Sequence, residues 1–371
     1  MDVTSENDYR SWLILSFAKG IGLVKIIRLL NKFSNPQNII GLNQQTLSGF
    51  GLSAESIKAL HFPDDSTIQH SLDWLDEPGH HLITIDDTDY PVLLREIANA
   101  PIVLFAVGKR SVLQNIHFAI VGSRNPSNNG RKLAEDFAYR LSLSGLTICS
   151  GLALGIDFHS HFGALNANCP TIAVLGNGLK SIYPAKHKDI ANKITERGLL
   201  LSEFFPEIKP KPSHFPQRNR IISGISTGVL VVEAAKKSGS LITANYALEQ
   251  GREVFAIPGS IHNPLARGTH SLIRRGAKLV ETIDDILEEL TPLAHISVSR
   301  ISDVYGNIEK HIDLAPDYKK IIESMSYDEV SVDSIVELSG LTADAVSSML
   351  LTLELDGIVE SNNTGKYRRC F

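Results

Sequence analysis

The sequence predicts a doubly wound α/β protein with a mostly parallel sheet, preceded by a small helical domain and followed by a small separate one. Three observations carry this. Between residues 115 and 280, six short apolar runs alternate with helical stretches. Residues 8–62 place apolar side chains at helical spacing, and residues 316–371 read as three helices and a hairpin. Continuous apolar runs suit strands covered on both faces, and strands separated by helices join through right-handed crossovers.

The N-terminal part takes its apolar faces from Trp12, Leu13, Leu15, Phe17, Ile26, Ile27, Leu29 and Leu30. Gly20-Ile21-Gly22 and Gly49-Phe50-Gly51 each precede a helical stretch. That pattern is that of a helix-hairpin-helix or SAM-like unit, whose backbone N–H groups can hold a phosphate, and equally of plain helix ends. Thr84 to Pro91 reads as a short strand and turn, and Ile102–Val107 as a strand. The core strands are expected at Ile116–Val121, Leu146–Cys149, Thr171–Leu175, Leu199–Leu201, Gly228–Val232 and Val254–Ile257. Helices are expected at Arg131–Leu143, Lys186–Arg197 and Leu241–Gln250. After an acidic helix and a linker, helices near Tyr318–Met325, Val332–Leu338 and Ala343–Leu355 precede a hairpin turning at Asn362 to Gly365, which makes a winged helix. The expected domains are therefore 1–75, 76–290 and 316–371, with 291–315 as linker.

Composition narrows the function. The chain carries a net charge of −5, but the three parts differ: −4 over 1–114, +10 over 115–280 and −11 over 281–371. A basic middle localises any polyanion site there. The acidic C-terminal domain suits protein contact better than duplex phosphates. Cys149, Cys169 and Cys370 are far apart and form no metal or disulfide pattern. The N-terminus shows no secretory pattern and no apolar run spans a bilayer, so a cytoplasmic location without membrane or metal is expected.

In doubly wound sheets ligands bind at the carboxyl ends of the strands. The loop Gly122-Ser123-Arg124 follows the first core strand. Ser127 can cap the next helix, whose N-terminus would face an anion, and Arg124 offers a planar fork for phosphate. The loop from Ser150-Gly151 to Asp157 has two glycines for a tight cradle, while Asp157 and His161 read as structural. The third loop combines Lys180, Tyr183 and Lys186, cations for a backbone and a ring for stacking, though Tyr183 can equally be a core ring. Two stretches without acidic residues add Arg218 and Arg220 within 209–220, its prolines keeping the chain extended, and Arg274 and Arg275 within 267–278. The Gly239-Ser240 helix start completes the expected site. No P-loop, dinucleotide fingerprint or nucleophile elbow occurs, so ATP hydrolysis, NAD chemistry and serine hydrolysis have no support and no cofactor is expected.

The segments AIVGSRNPS (119–127), SGLALGID (150–157), FPQRNRIISG (215–224) and VEAAKKSGSLITA (232–244), with Gly251-Arg252 and FAIPG (255–259), resemble the motifs of the DprA (Smf) DNA-processing family. The resemblance implies an extended Rossmann-like core that binds single-stranded DNA, dimerises and loads RecA onto incoming strands during natural transformation. It places the family's DNA-contacting arginine on Arg124. The family's basic residue after Tyr-Pro falls on Ala185, with Lys186 adjacent. Asn129 and His270 stand where tyrosine and asparagine are usual. An alternative is a nucleotide-processing enzyme of the lysine-decarboxylase-like Rossmann group. There the stretch from Gly239 to Thr243 would be the phosphate loop, with Thr243 in place of the catalytic acid, which fits binding without hydrolysis.

Overall fold

The computed structural model describes residues 3–18, 20–290, 316–325, 330–355, 359–361 and 366–369. The chain forms two compact units. The expected linker, the hairpin turn at Asn362 to Gly365 and Cys370 lie outside the described residues.

The larger unit begins with six helices: α1 Val3–Phe17, α2 Leu23–Phe33, α3 Pro36–Ile40, α4 Gln44–Gly49, α5 Ala54–His61 and α6 Asp65–Leu75. Their starts are set by side-chain caps: Asn35, Asn43, Ser53 and Asp64 each accept a backbone N–H of the following first turn. The first turn of α2 is tied to the second Gly-x-Gly turn, since Lys25 Nζ donates to Gly51 O at 2.6 Å. Trp12, Leu29, Leu60 and Leu72 share one apolar cluster with sheet residues such as Phe105 and Leu201. The expected boundary near residue 75 thus separates types of secondary structure without separating cores.

A nine-stranded sheet follows: β1 His80–Thr84, β2 Val103–Gly108, β3 His117–Val121, β4 Thr147–Ser150, β5 Thr171–Val174, β6 Leu199–Ser202, β7 Gly228–Val231, β8 Glu253–Ala256 and β9 Lys278–Leu279. The spatial order is β1-β2-β6-β5-β4-β3-β7-β8-β9. Strands from β6 through β9 in that order are parallel, whereas β2 runs antiparallel to both its neighbours, β1 and β6. The first strand ends at Thr84 instead of starting there. Thr84 and Asp87 close the turn, and Arg110 clamps Asp87 and Asp89.

The connecting helices are α7 Val92–Arg95, α8 Asn128–Leu143, α9 Ile156–Asn166, α10 Lys188–Arg197, α11 His214–Ile225, α12 Ser240–Glu249, α13 Arg267–Arg274 and α14 Asp284–Leu290. Along β3, Phe118 and Ile120 enter the cluster that contains α8 and α14, while Ala119 and Val121 enter the cluster that contains α11 and α12. Both faces are buried, which is why the strands read as unbroken apolar runs. From β3 the chain steps outward through β4, β5 and β6, then returns across the sheet to β7 on the other side of β3. The β3/β7 junction is therefore the topological switch point, with a crevice beyond the strands' carboxyl ends.

One expectation about local structure is corrected. The proline-rich stretch 209–220 is not extended throughout: α11 begins at His214, with Pro216 in its first turn, where the missing N–H costs nothing.

The smaller unit holds α15 Pro316–Glu323, β10 Val330–Ser331, α16 Val332–Ser339, α17 Ala343–Leu355, β11 Val359–Ser361 and β12 Lys366–Arg369. Ile321, Ile335, Leu350 and Val359 form its core. The three-stranded sheet, ordered β10-β12-β11, completes a winged helix. Among the described residues no single helix is long and apolar enough to cross a membrane.

Two buried histidines make stability pH-dependent. Burial pulls His117 down to about 4 and His161 down to about 3. Below about pH 6.5 the unfolded chain takes up protons that the folded chain refuses, so stability falls with pH until the folded values are approached. The expected loss is about 1.4 kcal/mol per pH unit for each ring. Thermal melts of the full chain between about pH 6.5 and 4 should show it. The slope should be smaller in His117→Gln, and an unchanged slope would exclude this ring as a source.

Candidate nucleic-acid interface

The crevice at the switch point is built from loops that hydrogen-bond to one another. After β3, Ser123 N–H donates to Glu233 O at 2.7 Å, and Ser123 O accepts from Ile156 N–H at 3.1 Å. The loop is thereby stitched to those after β7 and β4. Gly122 packs against the Ile156 side chain, and Ser123 is buried, its Oγ accepting from Asn125 N–H. Arg124 points out of this frame and is exposed.

The helix N-terminus expected to face an anion is occupied from within. Ser127 Oγ caps Gly130 N–H at 3.0 Å. The buried Glu233 carboxylate accepts from Ser127 Oγ at 2.6 Å and from its N–H at 2.9 Å. A protein carboxylate sits where the sequence reading put a ligand phosphate, so the α8 start supplies rigidity and Arg124 supplies the available charge.

The Ser150–Asp157 loop is likewise closed on itself. Ser150 is fully buried and donates to Ile120 O. Asp157 accepts from Gly151 N–H at 3.1 Å and from Ala153 N–H at 3.3 Å. His161 is buried against Thr171 Oγ1 at 2.8 Å. Asp157 and His161 are therefore structural. Gly151 lies against the Arg218 guanidinium, and a Cβ there would come within 2.4 Å of it.

Arg218 itself is 3% exposed and donates to the strand-end carbonyls of Gly151 and Val174. Arg220 is 13% exposed and pairs with Glu203 at 2.5 Å. As expected ligand contacts these two are corrected: helix α11 turns both inward, where Arg218 holds two loops in place.

The same helix presents a residue that charge counting passed over. Phe215, half-buried, lies on the carboxyl end of β5. A Cβ at Gly176 would stand 2.9 Å from its ring, so glycine lets the ring lie against the backbone. Arg124 Cζ is 5.5 Å from the Phe215 ring centroid. The Tyr183 ring, 49% exposed, has its centroid 5.7 Å from that of Phe215. Arginine and tyrosine from two loops and phenylalanine from the first turn of α11 thus form one cationic and aromatic platform. The legible signal was a ring inside a stretch free of acids.

Around it the topology gathers cations. Lys186, Lys209, Lys211, Lys236 and Lys237 are exposed on loops that follow β5, β6 and β7. Lys180 is also exposed but pairs with Glu207 at 2.6 Å. Gly239 is exposed at the start of α12, fixed by Asn219 Nδ2, which donates to its carbonyl at 3.3 Å. Ser240 is buried with its Oγ 2.7 Å from Ser238 Oγ. Arg274 and Arg275 lie elsewhere. They end α13 before β9, and a crossover helix ends at the amino edge of a parallel sheet, the edge opposite Arg124. Among the described residues no cluster of three or more His, Cys, Asp or Glu could hold a metal.

This architecture and its loop motifs have known counterparts. The family model described as DNA recombination-mediator protein A matches residues 81–291, and that of the DprA winged helix domain matches 310–363. Protein Smf of Escherichia coli (strain K12) is 40% identical over 366 residues, covering 97% of this chain and 96% of that one. DNA processing protein DprA of Bacillus subtilis (strain 168) is 46% identical over 58% of this chain and 72% of its own. Among solved structures, DprA from Streptococcus pneumoniae superposes with a TM-score of 0.67 at 37% identity, over 78% of this chain and 99% of that one. DNA processing protein A from Helicobacter pylori, whose structure is described for its single-stranded DNA binding mode, superposes with a TM-score of 0.52 at 27% identity, over 57% and 96%. With its α/β core matched over more than half of its length and a relative aligned from end to end, this chain belongs to the DNA recombination-mediator protein A family.

Proposed function

We propose that this protein binds single-stranded DNA along the carboxyl edge of its sheet, without cleaving it. The observation that carries the reading is the Arg124–Phe215–Tyr183 platform among exposed lysines. Unstacked bases can lie on the rings while cations take the phosphates, a combination indifferent to sequence and selective for single strands. The Helicobacter pylori relative is described as binding single-stranded DNA, which supports this choice of ligand. At the position where a nucleotide-cleaving relative would carry its acid, Thr243 is buried and uncharged, which favours binding over hydrolysis. The wider role is protection of incoming strands and loading of RecA during natural transformation, by a cytoplasmic homodimer. It rests on the motif resemblance.

Six exposed cations frame the platform: Arg124, Lys186, Lys209, Lys211, Lys236 and Lys237. If all contact phosphates, log affinity should fall against log salt with a slope of about −4. Anisotropy titrations of a labelled oligonucleotide across a salt series measure this. A slope shallower than about −1 would defeat the reading. For the wider role, the protein should accelerate RecA assembly on coated single strands, and no acceleration would remove that part.

A further inference from the structure

A second feature extends beyond the platform. Helices α9 and α10 run side by side, and between them lies an open groove of about 460 Å³. Its α9 wall is Phe158, Phe162 and Leu165, spaced at four and three residues, hence one helical stripe. Phe158 and Phe162 stack in parallel at 6.2 Å, and Phe162 is 38% exposed. The opposite wall carries Lys186 from the turn before α10, and Lys193 and Arg197 from α10 itself, with Asp189 and Glu196. Lys186 and Lys193 are exposed, and Arg197 reaches the neutral side chain of Asn168.

The groove starts where the platform ends. Lys186 follows Tyr183 by three residues, at most about 11 Å of chain. His187, next after Lys186, is buried, bonded to Leu152 O at 2.9 Å and with its ring 4.9 Å from that of Phe158. The loop that presents Tyr183 is thereby fixed to the wall of the groove.

We propose that the α9/α10 groove is a second stretch of the DNA path, in which the strand leaving the Tyr183 platform passes Lys186, stacks a base on Phe162 and sets phosphates against Lys193 and Arg197. The inference rests on the platform being the primary single-strand site. An exposed ring above a line of cations is the combination that holds unpaired nucleotides. Carboxylates at 189 and 196 limit the net charge, so the groove adds length to a bound strand instead of nucleating binding.

The test uses the full chain and oligo-dT of two lengths, about 6 and about 20 nucleotides. Lys193→Glu, at an exposed position, and Phe162→Ala are each expected to lower affinity for the long oligonucleotide about five- to tenfold and to leave the short one unchanged. Ultraviolet cross-linking of the long oligonucleotide should map to Phe162. Arg124→Ala should weaken both lengths. If Lys193→Glu and Phe162→Ala bind both lengths like the parent while Arg124→Ala does not, the groove is not on the path and the platform stands. If Arg124→Ala changes neither, the platform reading itself fails. A change of oligomeric state in either groove variant, seen by sedimentation with long-strand affinity intact, would assign the groove to a second copy of the chain and overturn the proposal.

Discussion

Replacing Arg124 and Phe215 together by alanine is expected to lower single-strand affinity by two to three orders of magnitude. Each stacked base lost costs about 1–3 kcal/mol, and a charge-assisted phosphate bond about 1.5–3 kcal/mol. Together they remove about 3–5 kcal/mol, at about 1.4 kcal/mol per tenfold. The two residues touch, with Arg124 over the Phe215 ring, so the double variant should lose something other than the sum of the singles. Neither substitution removes a core group: Arg124 is exposed and Phe215 half-buried, so the melting temperature should hardly move. Arg274→Ala with Arg275→Ala is the matched control, since it removes two cations from the opposite edge of the sheet. Anisotropy at one fixed salt concentration separates the cases. If the control weakens binding as much as the platform variant, net charge alone governs affinity and the platform has no special part.

Arg218→Met should instead act on stability. The Arg218 guanidinium is buried and donates to Gly151 O and Val174 O. Burial draws its own pKa down to about 10. Burial also pushes the Asp157 carboxyl up, and Arg218 pulls it back. Without Arg218, the buried Asp157 loses the larger of the two cationic influences on it, the other being Arg124, and two strand ends lose a donor. Two buried carbonyls left without this donor, and a buried carboxylate left without this nearby cation, cost about 3–5 kcal/mol together. For a unit of about 300 residues that is about 5–8 °C in its melting temperature. Single-strand binding should fall too, because Gly151 and Val174 anchor the loops beside the platform. Asp157→Asn added to Arg218→Met removes the stranded charge and should restore part of the loss. A stable Arg218→Met variant with weakened binding would instead point to direct DNA contact by this arginine.

The six predicted core strands lie within about one residue of the observed ones, because a strand buried on both faces leaves a continuous apolar run, whereas the strand expected to start at Thr84 ends there. Helices at Asn128–Leu143 and Ser240–Glu249 were legible from periodicity and capping. α11 was hidden because prolines at 210, 212 and 216 read as extended chain, whereas the last of them opens a helix. The acidic C-terminal part was legible as a winged helix, though not its β10, a strand of two residues.

By itself, the sequence determined the class of fold, the basic middle and the loops that should carry function, since apolar period, glycine spacing and charge are all local properties. Tertiary structure alone decided which cations remain available. Arg218 and Arg220 are as basic as Arg124 on paper, but one helix turn directs the first two into carbonyls and a carboxylate and leaves Arg124 on a ring. Likewise Glu233 lies 106 residues from Ser127 and yet fills its helix N-terminus. Such pairings depend on strand order, and strand order joins residues that no local pattern relates.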